Sequence, residues 1–574
     1  MKNVKNLFGM AVMATALVGC SSNDNLNPNA NEGADKAGTA YASFKINLPT
    51  TSGTRAPGDP DGTPDFKPGD AAEYEVKNGT ILIFGNDGKF VTSAKLGNMN
   101  PWTDVKDGSG VTTAAIATVK LENVELGVNK YKALVLLNNN TGTTTQKVAL
   151  PTSSTDTYDT WSKETSNVTV NNYKSTDGIF MANAPMFTST TTEPTTLVSV
   201  ANVCASPEEA QAKTATTIYV ERGLAKVTMK NFDASYPIAA GTYKNDEVVI
   251  NAWQLDVTNK STYPVHQTGD LMGAWDQIWN TNRFYDKDNG VFKRVYWGTD
   301  PNYSNNKLYE GTTTPATTKT ALEYCKDAFN MISNADVVGL PGDDKPQYCL
   351  ENTFNLANMM QGQTTRVVFK AVYTPKALIG ESDKTFYKIG NNTAIWKKAD
   401  LEEQIKNVAV TVMNLTSAEI ADYTVDLAAA SNNISGEAGQ HTITADNIVY
   451  TGSGSSKVPA ALAAINAKLG LTTETGISTY LHGEAYYIAR IKHFNELTPW
   501  KPGTAYGTNN ADFLGRYGVL RNNWYELSVK SISGLGYPDV PVVKPDVPDD
   551  ENSKYINVEV KILSWAKRSQ SVDL

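Results

Sequence analysis

The sequence is poor in the residues that chemistry-bearing motifs need. It has four histidines, His266, His441, His482 and His493, and no two of them form an HExxH pair. No GxSxG elbow occurs, and the glycine-serine run at 452–456 reads as a loop. Enzymatic activity is therefore not expected. Its four cysteines, Cys20, Cys204, Cys325 and Cys349, contain no CxxC pair, which removes zinc-ribbon and dithiol redox signatures. Asp59-Pro60-Asp61-Gly62 starts like a calcium loop but lacks the later ligands, and Asp343-Asp344 is most simply a turn. No metal and no cofactor is implied. There is no basic excess either: 51 Lys and Arg stand against 60 Asp and Glu, a net charge of −9, so nucleic acid is not an expected partner. No run reaches the eighteen apolar residues of a membrane-spanning helix in the mature chain.

What is present is a chain of 574 residues with 40% hydrophobic content, long enough for two or more domains. Thr, Asn, Ser, Gly, Val and Tyr are abundant and the apolar period is mostly two, which favours a mainly β fold with many turns and a few short helices. Helices are expected at 320–332 and 459–469, the second with Pro459 at its start and Gly470 at its end. Strands are expected at 80–84 and 89–91 around a Gly/Asn/Asp turn, at 131–137, and at 217–229 as one or two strands about Gly223. Further strands are expected at 365–373, 408–413, 485–491 and 524–532.

The N-terminus sets the compartment. Lys2 and Lys5 precede an apolar run from Leu7 to Val18, and Leu17-Val18-Gly19-Cys20 matches a bacterial lipobox. Cys20 is the expected acylation site, with 1–20 as the signal peptide and the Asn-, Gly- and Ala-rich residues after it as a flexible spacer. With Cys20 acylated, Cys325 and Cys349 are near enough in sequence to pair in an oxidising compartment; three separate thiols are the alternative.

Two strand-like segments bracket the rest. Residues 40–48 place Ala42, Phe44, Ile46 and Leu48 on one face and polar residues on the other. Arg55-Ala56 follows in a Pro- and Gly-rich loop, open to a protease. At the other end, 537–551 holds four prolines and four aspartates and reads as a semi-rigid extended arm. It leads to a second amphipathic strand with Ile556, Val558, Val560 and Ile562 on one face. Trp565, Val572 and Leu574 continue the apolar content, although Trp565 breaks the alternation. Loss of the first strand would open a groove that another copy's last strand can fill. Four large apolar side chains there contribute roughly 6–12 kcal/mol before ordering costs, at about 1.5–3 kcal/mol each. The alternative is an ordinary edge strand at 40–48 and a C-terminus that folds back on its own domain.

Several segments resemble the fimbrillins of Bacteroidetes, the type V pilus subunits: 85–89, Val220-Glu221-Arg222-Gly223-Leu224-Ala225-Lys226-Val227, Tyr348-Cys349-Leu350-Glu351-Asn352-Thr353, and Gly518-Val519-Leu520-Arg521-Asn522-Asn523-Trp524-Tyr525-Glu526-Leu527. The resemblance implies two transthyretin-like β-sandwich domains, 56–235 and 236–536. It implies a propeptide at 21–55 and an arm with a donor strand at 537–574. It also implies lipoprotein export to the outer membrane and cleavage at Arg55-Ala56 by an arginine-specific protease, a gingipain in Porphyromonas. Arg222 is a weaker cleavage position because it lies inside an expected strand. The implied partners are other copies of the chain, tip and anchor subunits, and adhesion receptors that no residue identifies. Carrying both a cleavable leader and a donor strand favours a shaft subunit over a tip or an anchor. A surface glycan-binding lipoprotein, drawing on the ten tryptophans and many tyrosines, is the rival from another class.

Overall fold

The computed structural model describes residues 38–49, 70–97, 103–104, 111–141, 145–164, 170–186, 194–229, 235–268, 295, 297–314, 318–337, 345–390, 392–427, 440–472, 475–493, 514–549 and 556–563. Strand outweighs helix, 39% against 20%, so the fold is mainly β as the apolar period of two requires. The strands used below are β1 (Gly38–Pro49), β2 (Gly79–Gly85), β3 (Phe90–Lys95), β4 (Val111–Val124), β5 (Tyr131–Leu137), β6 (Met181–Asn183) and β7 (Thr216–Arg222). They continue with β8 (Leu224–Met229), β9 (Glu247–Asp256), β10 (Gln347–Leu350), β11 (Arg366–Thr374), β12 (Glu484–Arg490), β13 (Trp524–Ile532) and β14 (Ile556–Leu563).

The first sheet runs β3-β2-β5-β6-β7-β1-β4. Its two ends approach each other, because β3 contacts β4. The sheet thus folds over on itself around one core, built from alternate residues of β1, β2, β4, β5 and β7. Strand β1 sits inside this sheet, parallel to β7 with Ile46 opposite Ile218, and antiparallel to β4 with Ala42 opposite Val119. The edge position that the sequence left open for 40–48 is therefore not the one adopted.

Two further sheets form a second sandwich. One runs β10-β8-β13-β14; the other runs β9-β11-β12 with Tyr236–Pro237 beyond β9. Val227, Tyr525 and Leu527 from the first face meet Trp253, Phe369 and Tyr487 from the second in one buried core. The residues from 216 to 229 join the two sandwiches. They run as β7 in the first sheet, turn at Gly223, and continue as β8 in the second.

Four helices are used below: α1 (Ala71–Tyr74), α2 (Ala321–Ala328), α3 (Lys398–Met413) and α4 (Val458–Leu469). Helix α2 starts on a capping box between Thr320 and Glu323. Helix α4 ends at Gly470 with φ 73°. Both fall where the sequence places them. Helix α3 corrects the strand expected at 408–413. Leu401, Ile405, Ala409 and Met413 recur every four residues and are the buried face, so the valines between them belong to a helix.

The Pro-rich segment is also different from its expectation. It is not a solvated arm: Tyr537 exchanges backbone hydrogen bonds of 2.7 Å with Tyr486, and Val540 and Val543 are buried. Arg366 donates to the Pro541 carbonyl at 2.6 Å, and Thr364 donates to Asp549 Oδ2 at 2.6 Å. Each proline lacks an N–H, so the segment is held by carbonyls, aspartates and valines instead of a ladder.

Gly223 tests the joint between the sandwiches. A Cβ there would stand 2.8 Å from the Tyr173 ring and 3.1 Å from Phe180. Gly223→Val should cost about 1–3 kcal/mol by overpacking. The measurement is the urea midpoint; an unchanged midpoint would mean that the rings move aside freely.

Candidate functional site

Two places carry the features that the sequence singles out. The first is the bed of β1. Ala42, Phe44 and Ile46 are fully buried and Leu48 is 1% exposed, so all four expected residues share one core with Ile81, Val135 and Val220. Ser43 on the opposite face shares a 2.8 Å hydrogen bond with Thr118. Withdrawing β1 would leave β7 and β4 without the partner they share and open the fold-over of the sheet along its length.

The far end of the chain lies on the second sandwich. Strand β14 pairs antiparallel with β13 of its own sheet. Ile556, Val558, Val560 and Ile562 stand in register with Ile532, Val529, Leu527 and Tyr525. All four of those β13 residues are buried in the core. The one register shift falls between Val529 and Ser531, on β13. Cys20, Arg55, Ala56, Trp565, Val572 and Leu574 lie outside the described residues.

The second place is the junction between the sandwiches. The three longer segments that carry the family resemblance meet here, which their spacing in sequence does not reveal. Leu224 pairs with Leu350, Lys226 pairs with Trp524, and Asn352 and Val519 exchange backbone bonds of 2.7 and 2.9 Å. The Asn522 amide donates to the Leu224 carbonyl at 2.7 Å, with Asn522 itself at φ 60°.

The junction is charged as well as buried. Lys226 Nζ lies 2.7 Å from Glu73 Oε1 on α1, and both side chains are at most 3% exposed. The same ammonium sits 3.8 Å over the Trp524 ring. Tyr348 donates its hydroxyl to Glu73, and Arg222 Nε donates to the Glu73 carbonyl at 2.8 Å. Burial alone would raise the Glu73 pKa; Lys226 and the Tyr348 hydroxyl outweigh it and hold the carboxyl below its ordinary range. Burial brings Arg222 down to about 10. Arg222 is 2% exposed, so this arginine is closed to a protease. Beside these, Arg521 Nε lies 3.1 Å from Glu351 Oε2, and His266 Nδ1 lies 2.9 Å from Glu221 Oε1. Asp300 accepts from Thr353 N at 2.6 Å, Asn302 N at 2.7 Å and Asn259 Nδ2 at 2.9 Å. Full burial nevertheless pushes Asp300 up to about 7.

This polar cluster ties the two layers together. Among the described residues no three His, Cys, Asp or Glu side chains stand together as a metal-binding group. Cys325 and Cys349 do not form the disulfide that the sequence left open. Cys325 packs with Leu308 and Phe329, while Cys349 belongs to the core of the second sandwich, and both are free thiols pushed by burial to about 12. Cys204 is a third buried free thiol.

Strand β1, with its sequestered apolar face, precedes the candidate cleavage loop, and β14 lies at the edge of its sheet. Residues 478–571 match the family model described as major fimbrial subunit protein type IV, fimbrillin, C-terminal. That stretch holds β12, β13, the docked Pro-rich segment and β14, so this part of the chain is similar to a fimbrillin C-terminal domain, and the match supports a fimbrial structural or adhesion subunit. No curated protein sequence matches the chain. Among solved structures, a candidate cell adhesion protein from Parabacteroides distasonis is 11% identical over 93% of this chain and 99% of its own, with a TM-score of 0.37. The tip fimbrial protein Mfa3 from Porphyromonas gingivalis is 11% identical over 92% and 100%, with a TM-score of 0.29. The fimbrial anchor protein Mfa2 of the same organism is 10% identical over 39% and 62%, with a TM-score of 0.20. With TM-scores this low, these likenesses carry no weight in the function argued below.

Two expectations follow from the junction. Lys226→Met leaves Glu73 buried without its cation and should cost about 3–5 kcal/mol, most of it recovered on adding Glu73→Gln. Urea unfolding of the two single variants and the double variant measures this; additive losses would mean that the two side chains do not act as a pair. Asp300 has a raised folded pKa, so its contribution is fully present below the ordinary carboxylate pKa and is lost as pH rises through about 7. The stability gap between the wild type and Asp300→Asn should therefore narrow from pH 5 to pH 8. A gap that stays constant would refute the shift.

Proposed function

We propose that this chain is the shaft subunit of a cell-surface fimbrium, polymerised by strand exchange after its N-terminal strand is removed. In this reading Cys20 carries the lipid that takes the precursor to the outer membrane. An arginine-specific protease cuts at Arg55-Ala56, and β1 leaves with the propeptide. The residues around Trp297 and Asp300, and the segment from Gly536 to Pro538, are similar to the shaft subunit of the short fimbriae of Porphyromonas. Tip and anchor subunits are the expected accessory partners. The division into 56–235, 236–536 and a C-terminal arm from 537 is part of the same proposal, with the donor strand at its end.

The observation that supports it is the place of β1. A strand with Phe44, Ile46 and Leu48 fully sequestered, paired on both sides, cannot be lost without a replacement. Those three side chains alone contribute roughly 5–9 kcal/mol of burial, at about 1.5–3 kcal/mol each. The face of β14 offers the same period and similar bulk, in Ile556, Val558, Val560 and Ile562. A head-to-tail exchange of this type does not close on itself, so it builds a filament. The role is structural and needs no catalytic group.

The pairing of β14 with its own β13 equally suits a surface glycan-binding lipoprotein that never polymerises. The two readings part on exchange. Arg55→Ala should leave an uncut lipoprotein that stays monomeric, and removal of residues 555–574 should give cut, folded subunits that do not chain. Both are read by mass spectrometry of the N-terminus and by electron microscopy. Normal filaments from either variant would remove that element from the mechanism.

A further inference from the structure

Strands β11 and β12 lie side by side, with Val372 opposite Glu484, so all of 375–483 is a connection within one antiparallel pair. The connection narrows to a stem. Phe386–Ile389 pairs with Ile477–Tyr480, with Phe386 opposite Tyr480 and Ile389 opposite Ile477. At its foot the Phe386 and Tyr480 rings stack at 4.5 Å within the core of the second sandwich. At its top the Gly390 amide donates to the Gly476 carbonyl at 2.8 Å.

Beyond Gly390 the chain builds a second core, which it shares with Tyr387 and Ile477 of the stem. Leu401, Ile405 and Met413 of α3 meet Val458 and Ile465 of α4, with Tyr423 and Ile448 beside them. The short strands Tyr423–Val425 and Ile448–Tyr450 pair with each other. The ion pairs Lys398–Asp426 and Lys457–Glu419 are internal to this unit. Its links to the body include Ile395, half-buried against the larger core, and the exposed Lys397–Glu381 pair.

We propose that residues 390–476 are a self-contained module carried on this stem. It is dispensable for folding of the two sandwiches and for strand exchange. The second half of this statement rests on the strand-exchange reading above; the first half does not. A unit with one buried core, its own sheet pair and a narrow stem, whose Ile477–Tyr480 strand also pairs with Gln440–His441, has the organisation of an inserted domain. The elements of exchange lie elsewhere: β1 in the first sheet and β14 on β13, whereas the stem continues from β11 and β12 of the opposing layer.

The test replaces 390–476 with Asn-Gly, a two-residue turn suited to joining Ile389 to its register partner Ile477. Tyr387→Thr, Ile389→Thr and Ile477→Thr keep the uncovered stem polar. The shortened full-length precursor should fold, with a melting midpoint within about 5 °C of the wild type. After cleavage it should chain as the wild type does. An unfolded variant overturns autonomy; a folded, cleaved variant that fails to chain beside a wild type that chains overturns dispensability. If the wild type itself does not chain, the strand-exchange reading fails and the folding result still decides the module. Native-state hydrogen exchange on the unaltered protein is the second measurement. Amides of α3 and α4 should open at a free energy distinct from those of β11 and β13; one shared opening across all four would sink the proposal.

Discussion

Everything in this molecule is referred to one backbone stretch, 216–229, that belongs to both sandwiches. Strand β7 supplies Ile218 and Val220 to the first core, and β8 supplies Ala225 and Val227 to the second. Between them Gly223 lets the Tyr173 ring approach the backbone. Two strands joined through one residue are a stiff coupling, so the two sandwiches cannot be reoriented without straining the ladders on both sides. Lys226, Arg222 and Glu221 project from this stretch into the junction, where Glu73, Glu351 and Arg521 receive them directly or through neighbours. Buried ion pairs of this kind add little net stability compared with apolar packing, but breaking one partner is costly. Their effect is to permit one relative placement of the layers.

This arrangement also separates the part that can leave from the part that stays. Helix α1, with Glu73, is tied to Lys226, Arg222 and Tyr348 at the junction. Strand β1 is held by the first sheet, its core and the backbone bonds between Tyr41 and Cys204. A cut anywhere between them would leave β1 joined to the fold by packing and ladder bonds alone, while the downstream chain stays fastened to the joint. The two halves of the N-terminal region have opposite chemistries, apolar packing for one and buried charge for the other.

Much of this was legible in the sequence. The alternation at 40–48 and 131–137 gave strands that the structure reproduces, and Thr320, Pro459 and Gly470 marked helix ends. Helix α3 was missed because Val408, Val410 and Val412 mimic strand alternation, while the true signal, Leu401 to Met413 in steps of four, begins earlier. The docking of 537–549 was missed because prolines dominate its composition; Val540 and Val543 between them were the sign that it packs. The junction was invisible for a different reason. Glu221, Arg222, Lys226, Glu351 and Arg521 look like solvent-facing strand residues one at a time, and only their meeting in space makes them a buried network. The pairing of Cys325 with Cys349 failed because sequence distance says nothing about which core each enters.

The docked segment 537–549 has a mechanical consequence. Six residues separate Asp549 from Ile556, a reach of at most about 25 Å at full extension. Any pull on β14 is delivered almost at once to Asp549 on Thr364, then to Pro541 on Arg366 and Tyr537 on Tyr486. These anchors sit on or beside β11 and β12, in the middle and at the rim of one sheet. Load is thus met by several bonds in succession along the segment, instead of by a single one. The four prolines keep the segment short of slack, so the last strand is tethered like a stay under little sag.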